Sequence, residues 1–349
     1  MVRYHAAMNA PKVTDLDYIN FLVAAPKVVS CTEAARVQPD GPRRAAHDAL
    51  TRLLQRLEPD TTPLWREAEQ HVDRESGLLI LDDTTLDKPY AKQIELVHRH
   101  WSGKHHRVVS GINLLTLLWS DGQDAIPCDY RLFDKPIDGE TKNDHFEAML
   151  KTAKERGFQP RYVAFDSWYS GLANLKTIRT HGWQWFTRLK ANRQVNPDGS
   201  GNRVLSECTI REGGTRVHLK GYGFILVFRI DTSDGDREYW ATSDLTLTMD
   251  ERERLAAQIW MIETYHRGLK QFCGVERCAC RKASAQRNHI GWAIRAFLRL
   301  EHQRITTGTS WFESKIAIIR PAIQQFLAGP KELLRGFEQA TLAHKRATA

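Results

Sequence analysis

Leu78-Leu-Ile-Leu-Asp-Asp-Thr-Thr85 is a short, continuous apolar run that ends in two acids and two threonines. Four aliphatic residues in a row, preceded by Gly77, predict a strand buried on both faces with polar residues gathered at its C-terminal end. Arg161-Tyr-Val-Ala-Phe165 repeats the pattern and runs into Asp166-Ser-Trp-Tyr-Ser170. Between the two, residues 108–119 and 125–133 predict further strands. Residues 142–156 form an amphipathic helical pattern (Phe146, Met149, Leu150, Ala153) stopped by Gly157. A helix over 172–180 and a strand over 183–189 follow. This order predicts a mixed-sheet α/β fold in which the ends of the first and central strands lie side by side, bringing Asp82, Asp83 and Asp166 together.

Outward from this core the pattern changes twice. Residues 194–238 are rich in β-formers, with a turn at Asn196-Pro-Asp-Gly199 and another at Ser233-Asp-Gly-Asp236, and predict a β-rich insertion before a last strand over 237–243. Residues 259–277 predict one helix with two unlike faces. Ile259, Ile262, Leu269 and Phe272 fall on one, and Glu263, Arg267 and Lys270 on the other. Apolar helices are expected over 288–305, 315–334 and 334–346. Short helices over 14–75, broken at Pro26, Pro39, Gly41-Pro42 and Pro59, carry Arg43, Arg44, Arg52 and Arg56; they suit a helix-turn-helix-like DNA reader or a small bundle packed on the core. The expected segments are a helical DNA-binding region (1–75), the first part of the core (76–193), the insertion (194–238), the second part of the core (239–306) and a C-terminal helical region (307–349).

The chain has 349 residues and a formal charge of +8, with an isoelectric point near 9.2. That balance favours an anionic partner such as nucleic acid, and equally suits an enzyme with a basic surface. No apolar run is long enough to span a bilayer, and residues 1–12 lack the apolar stretch of a signal peptide, so a cytoplasmic protein is expected. Six cysteines in this length suggest reduced thiols rather than a disulfide scaffold. Cys273, Cys278 and Cys280, with His289, have a spacing foreign to zinc sites.

Three carboxylates from distant positions, Asp82 or Asp83, Asp166 and Glu263, suit hard divalent cations that share a phosphate. Each acid alone has a plainer reading, as a turn former, a helix cap, or the partner of Arg267 on a solvated face. Arg188, Lys190 and Arg193 flank the strand leading into the insertion. They are candidates for phosphate contact, or charges protecting a strand edge. Trp101-Ser-Gly-Lys-His-His-Arg107, including Lys104, reads as a DNA-lining segment or a charged hairpin.

Leu81-Asp-Asp-Thr-Thr85, Phe165-Asp-Ser-Trp-Tyr-Ser170, and Ile262-Glu followed by Lys270 and Gly-Val-Glu-Arg277 together resemble the three active-site blocks of bacterial insertion-sequence DDE transposases. The subgroup is the one with a β-strand insertion before the Glu. Tyr239-Trp-Ala-Thr-Ser243 also matches, and the likeness spans about residues 78–304. The resemblance implies an RNase H-like core in which Asp83, directly before the Thr pair, joins Asp166 and Glu263 as the metal triad. It further implies Mg²⁺, with Mn²⁺ as a substitute, and DNA contacts from Lys270, Arg267 and Arg277. The partners it implies are double-stranded DNA, both terminal inverted repeats and target, bound by a homodimer; no membrane is involved. The family signature has a Tyr and an Arg where this chain has Ala256 and Ile259. A metal-dependent nuclease or resolvase without strand transfer, and a non-catalytic DNA-binding descendant, are the alternative readings.

Overall fold

The computed structural model describes residues 12–41, 44–102, 106–232 and 235–329. Lys104, Arg43 and the helix expected over 334–346 lie outside the described residues. Four short helices come first: α1 (Asp15–Ala24), α2 (Cys31–Arg36), α3 (His47–Arg56) and α4 (Thr62–Ala68). The sheet then begins with β1 (Leu78–Asp87), β2 (His98–Ser102), β3 (Arg107–Ser120) and β4 (Ile126–Phe133). Next come α5 (Lys135–Asp138), α6 (Lys142–Glu155), β5 (Tyr162–Phe165), α7 (Leu172–Thr180) and β6 (Trp185–Leu189). The insertion supplies β7 (Gln194–Asn196), β8 (Arg203–Val204), β9 (Thr215–Leu219) and β10 (Gly223–Asp231), and β11 (Arg237–Thr242) follows it. Four helices close the described chain: α8 (Met249–Ile259), α9 (Met261–Phe272), α10 (Ala283–Thr307) and α11 (Trp311–Ala328).

All these strands join one mixed sheet in the order β2-β3-β1-β5-β6-β11-β10-β9-β7-β8, with β4 also paired to β3. β1 runs antiparallel to β3 and parallel to β5, and β5 runs parallel to β6. The fold is therefore the mixed α/β arrangement expected from the strand–helix order. Its insertion is not a separate β unit, because β11 pairs with β6 and carries the core sheet onward through β10 and β9.

Two boundaries differ from the sequence expectation. β1 does not stop at Leu81. Its polar half, Asp82 to Asp87, stays paired with β3 down to Gly111, whereas the ladder to β5 ends at Leu81↔Phe165. Antiparallel pairing supplies the backbone hydrogen bonds that the apolar run alone would not predict. Gly111 permits this approach, since a Cβ there would lie 2.6 Å from the Leu86 carbonyl oxygen. The helix expected over 259–277 is shorter, α9 spanning Met261–Phe272, and a separate helix, α8, ends just before it at Ile259. At Trp260 the carbonyl accepts from the Glu263 N–H (3.1 Å) as well as the Thr264 N–H (3.2 Å), so the backbone tightens for one residue. Glu263 thereby falls in the first turn of α9, where a helix favours negative charge. The segment closes at Cys273 and Gly274, whose φ is +63°.

The core lies on both faces of the sheet. Phe146, Met149 and Leu150 of α6 cover one, and Ile262, Tyr265 and Leu269 of α9 the other. The helix α6 starts at a capping box, Thr141 with Asp144. The N-terminal helices pack on α10. Tyr18 lies 5.4 Å from Trp292, its hydroxyl is 3.0 Å from His289 Nδ1, and Asn288 donates to the carbonyls of Leu54 and Leu57. Arg295 bridges Asp15 of α1 and Glu67 of α4. These helices pack on the body that carries the sheet, and Arg36, Arg44 and Arg52 each pair with an acid of their own segment. The helix α11 begins at Trp311 rather than 315 and ends at Ala328.

Candidate active site

Strand alternation sorts the acids between the two faces of the sheet. In the parallel ladder Leu81 stands beside Phe165, so Asp82 and Asp166, one residue further on, project to the same side. In the antiparallel ladder Asp82 stands opposite Thr116, and the Tyr265 side chain of α9 lies near Thr116 without a hydrogen bond between their hydroxyls. Asp82, Asp166 and the helix bearing Glu263 therefore occupy one face. On the other face Phe165 packs against Phe146 of α6, at 5.3 Å between rings. Asp83 points that way.

Asp83 is enclosed there by three donors. Lys142 Nζ and Asn113 Nδ2 each donate to its Oδ2 at 2.7 Å, and the Tyr169 hydroxyl donates to Oδ1 at 2.6 Å. Burial opposes ionisation of this carboxyl, yet the Lys142 ammonium and the two hydrogen bonds hold it below its ordinary range. The Tyr169 phenol is pushed up by burial and by the charge of Asp83. Asp82 behaves oppositely. Burial, then the fields of Asp83, Glu263 and Asp166, push it well above the usual carboxylate range. Like charges gathered on one face make a place that favours a cation.

Asp166 is exposed at the end of β5, and its Oδ1 accepts from Ser167 N–H at 2.6 Å, capping the turn Ser167–Tyr169. Glu263 is exposed on α9. Among the described residues, the acids and histidines whose ligand atoms lie within 4.8 Å of one another are Asp138, Glu140 and His145. The oxygens of Asp82, Asp166 and Glu263 are therefore set wider than a single first shell. All three are carboxylates, hard oxygen donors, with Asp166 and Glu263 open to solvent, and this donor set fits Mg²⁺-type cations.

The expected DNA-contacting residues are placed as follows. Arg188 follows the β5–β6 register from Thr187, beside Asp166, and its guanidinium lies 3.6 Å from Asp166 Oδ1. It also bonds Glu238 at 2.7 Å and lies over the Trp240 ring. Lys190 is exposed, whereas Arg193 is half-buried and its guanidinium is lowered by desolvation. Lys270 Nζ donates to the Thr85 carbonyl at 2.8 Å and lies 3.3 Å from Glu276. Glu276 in turn accepts from the Asp87 N–H at 3.2 Å, so the block Gly-Val-Glu-Arg277 straps the end of α9 to β1. Arg267 and Arg277 are exposed. Of the two arginines near the departures at Ala256 and Ile259, Arg252 is buried against Glu253 and only Arg254 is exposed.

The sequence reading missed Lys142, Asn113 and the role of Tyr169. Tyr169 lies in the second block, where a phenol two residues beyond a turn-forming Ser is a visible signal. Lys142 and Asn113 carry no such signal, because they meet Asp83 only through packing and cross-strand register. Cys273 and Cys278 are buried free thiols, and Cys280 is half-buried.

The family described as Transposase DDE domain matches residues 73–298. No curated protein matches the chain. Among solved structures, the chain is similar to the piggyBac transposase synaptic complex with hairpin DNA, with a TM-score of 0.51 and 12% identity over 92% of this chain and 73% of that one. The Mos1 strand transfer complex also matches, at a TM-score of 0.19 and 13% identity over 53% of this chain and 60% of that one. The first of these shows the shared RNase H-like transposase fold. No helix among the described residues is long and apolar enough to cross a membrane.

Proposed function

The chain belongs to the transposase DDE-domain family, DNA-cutting and strand-joining enzymes that use divalent cations, and on that premise we propose that its chemistry runs on Asp82, Asp166 and Glu263. The observation that carries this is their common face: the β1–β5 and β1–β3 registers set Asp82 beside Asp166 and under the helix of Glu263. Asp83, the acid expected from the Thr pair, becomes a positioning residue. It ties β1 to α6 and to the Tyr169 turn and so fixes the backbone that presents Asp82 and Asp166.

The cation is Mg²⁺, with Mn²⁺ as a substitute, held by those three carboxylates. When bound there, divalent cations would supply Lewis-acid stabilisation of the charge that develops in phosphoryl transfer. The protein's own part is to hold the ends of the strand still. Asp166 keeps its free oxygen forward because the other caps the turn. Arg188 provides positive charge beside Asp166 and takes over the phosphate contact that Ile259 cannot make. Lys190, Arg193, Arg267, Lys270, Arg277 and Lys104 are the proposed backbone contacts, and the partners are the terminal inverted repeats and the target duplex, handled by two copies of the chain in the cytoplasm.

Binding should be strongly salt-dependent, with a log–log slope of about −0.9 for each phosphate contacted. Lys190→Ala is expected to weaken binding to all duplexes alike and to make the slope shallower by about 1, measured by fluorescence anisotropy across a salt series. An unchanged slope would remove Lys190 from the interface. Strand joining is tested separately, by supplying a precut 3′-hydroxyl end with target DNA. Cleavage without joined product would make the protein a nuclease.

A further inference from the structure

Away from the DDE face, His145 of α6 is buried with one ring nitrogen lacking a hydrogen-bond partner among the described residues. The residue is 5% exposed. Its Nδ1 is 3.0 Å from Glu140 Oε2, which fixes the proton on that nitrogen and directs the Nε2 lone pair elsewhere. Nε2 is buried and has no hydrogen-bond partner among the described residues. What it faces is Asp138 Oδ2 at 3.8 Å, too far for a hydrogen bond. Asp138 Oδ1 is already committed to the Glu140 N–H at 2.9 Å, so Oδ2 is the free oxygen. The Phe133 ring meets the imidazole edge-on at 6.4 Å and fixes its plane.

With the imidazole neutral, two electron-rich atoms stand 3.8 Å apart, a gap sized for a cation. Metal–nitrogen and metal–oxygen bonds of about 2.1 Å span it at an open angle. We propose that His145 Nε2 and Asp138 Oδ2 hold a zinc-like divalent cation, with Glu140 as the carboxylate that orients the imidazole from behind. A carboxylate–histidine–metal relay is how proteins commonly fix the tautomer of a ligating histidine. The imidazole makes the site one for Zn²⁺ rather than for Mg²⁺. Asp138 and Glu140 are exposed, so water completes the shell from that side. Lys142, whose ammonium grips Asp83, lies between Glu140 and His145. The cation would thus stiffen the turn from which Lys142 reaches into the core.

The test uses the full chain carrying Asp82→Asn, Asp166→Asn and Glu263→Gln, so that the DDE face does not contribute. Zn²⁺ binding is measured by equilibrium dialysis in the presence of millimolar Mg²⁺. One equivalent is expected that Asp138→Asn and His145→Gln each remove, and that Glu140→Gln weakens about tenfold or more. Any zinc taken by the cysteines persists in all these variants and does not enter the difference. If His145→Gln does not fold, Asp138→Asn decides alone, because Asp138 is exposed. Zinc stoichiometry and affinity unchanged by Asp138→Asn overturn the site.

Discussion

Asp82→Asn is expected to abolish cleavage of element-end DNA, with a loss on the order of 10³-fold, while Asp83→Asn keeps cleavage within about tenfold of the parent. The two acids are adjacent, so composition, local charge and strand propensity are nearly the same in both variants. Only their faces differ. Asp82 shares its face with Asp166 and with the helix of Glu263, and removing its charge removes a ligand where several kcal/mol of transition-state stabilisation is concentrated. Asp83 shares its face with Phe165 and α6, and its oxygens are taken by Lys142, Asn113 and Tyr169. Asp166→Asn and Glu263→Gln should fall with Asp82→Asn. The measurement is single-turnover cleavage of a labelled end duplex with Mg²⁺. A dead Asp83→Asn beside an active Asp82→Asn would reverse the assignment.

That pair also marks how far the sequence could be read. The apolar runs at 78–81 and 161–165 were enough to predict two neighbouring strands and to bring acids together near their ends. Which acid faces which helix is a question of register, and register is set by partners. Asp83 stands two residues beyond the β5 ladder but well inside the β3 ladder, and nothing within Leu81-Asp-Asp-Thr-Thr85 announces β3. The helix α8, which ends one residue before Trp260, is not legible as a separate element for a similar reason. Leu255, Ile262 and Leu269 are buried at seven-residue intervals, so the apolar period runs unbroken through a single tightened turn. The insertion's strands were legible one by one from their β-formers. Their continuation of the core sheet was not, because it depends on β11 returning to pair with β6. The N-terminal helices suit a DNA reader or a packed bundle from sequence alone, and their seat on α10 is set by contacts such as Asn288 to the Leu54 carbonyl, which the local pattern does not announce.

Lys142→Met is expected to cost about 3 kcal/mol of folding stability, toward the lower end of what breaking a buried ion pair costs, since both side chains keep some exposure (19% each). The cost arises at Asp83. With Lys142 present its folded pKa lies below the ordinary value, so its contribution is fully present above the unfolded pKa. It is lost as pH falls through the lowered folded one. Without Lys142, burial is the dominant influence left and the folded pKa moves above the unfolded value, which reverses the sign. The carboxylate then destabilises at neutral pH, and its penalty is relieved as the pH drops through that raised pKa toward the unfolded one. Urea unfolding from pH 7 to pH 4 should therefore show the gap between parent and Lys142→Met narrowing as pH falls. The double variant Lys142→Met with Asp83→Asn should recover much of the loss at pH 7, because it buries no unpaired charge. A gap that stays constant with pH, or a double variant no more stable than Lys142→Met, would mean that the ammonium acts by packing over the Phe133 and Trp168 rings, which it overlies at 5.9 and 5.4 Å, and not by its charge on Asp83.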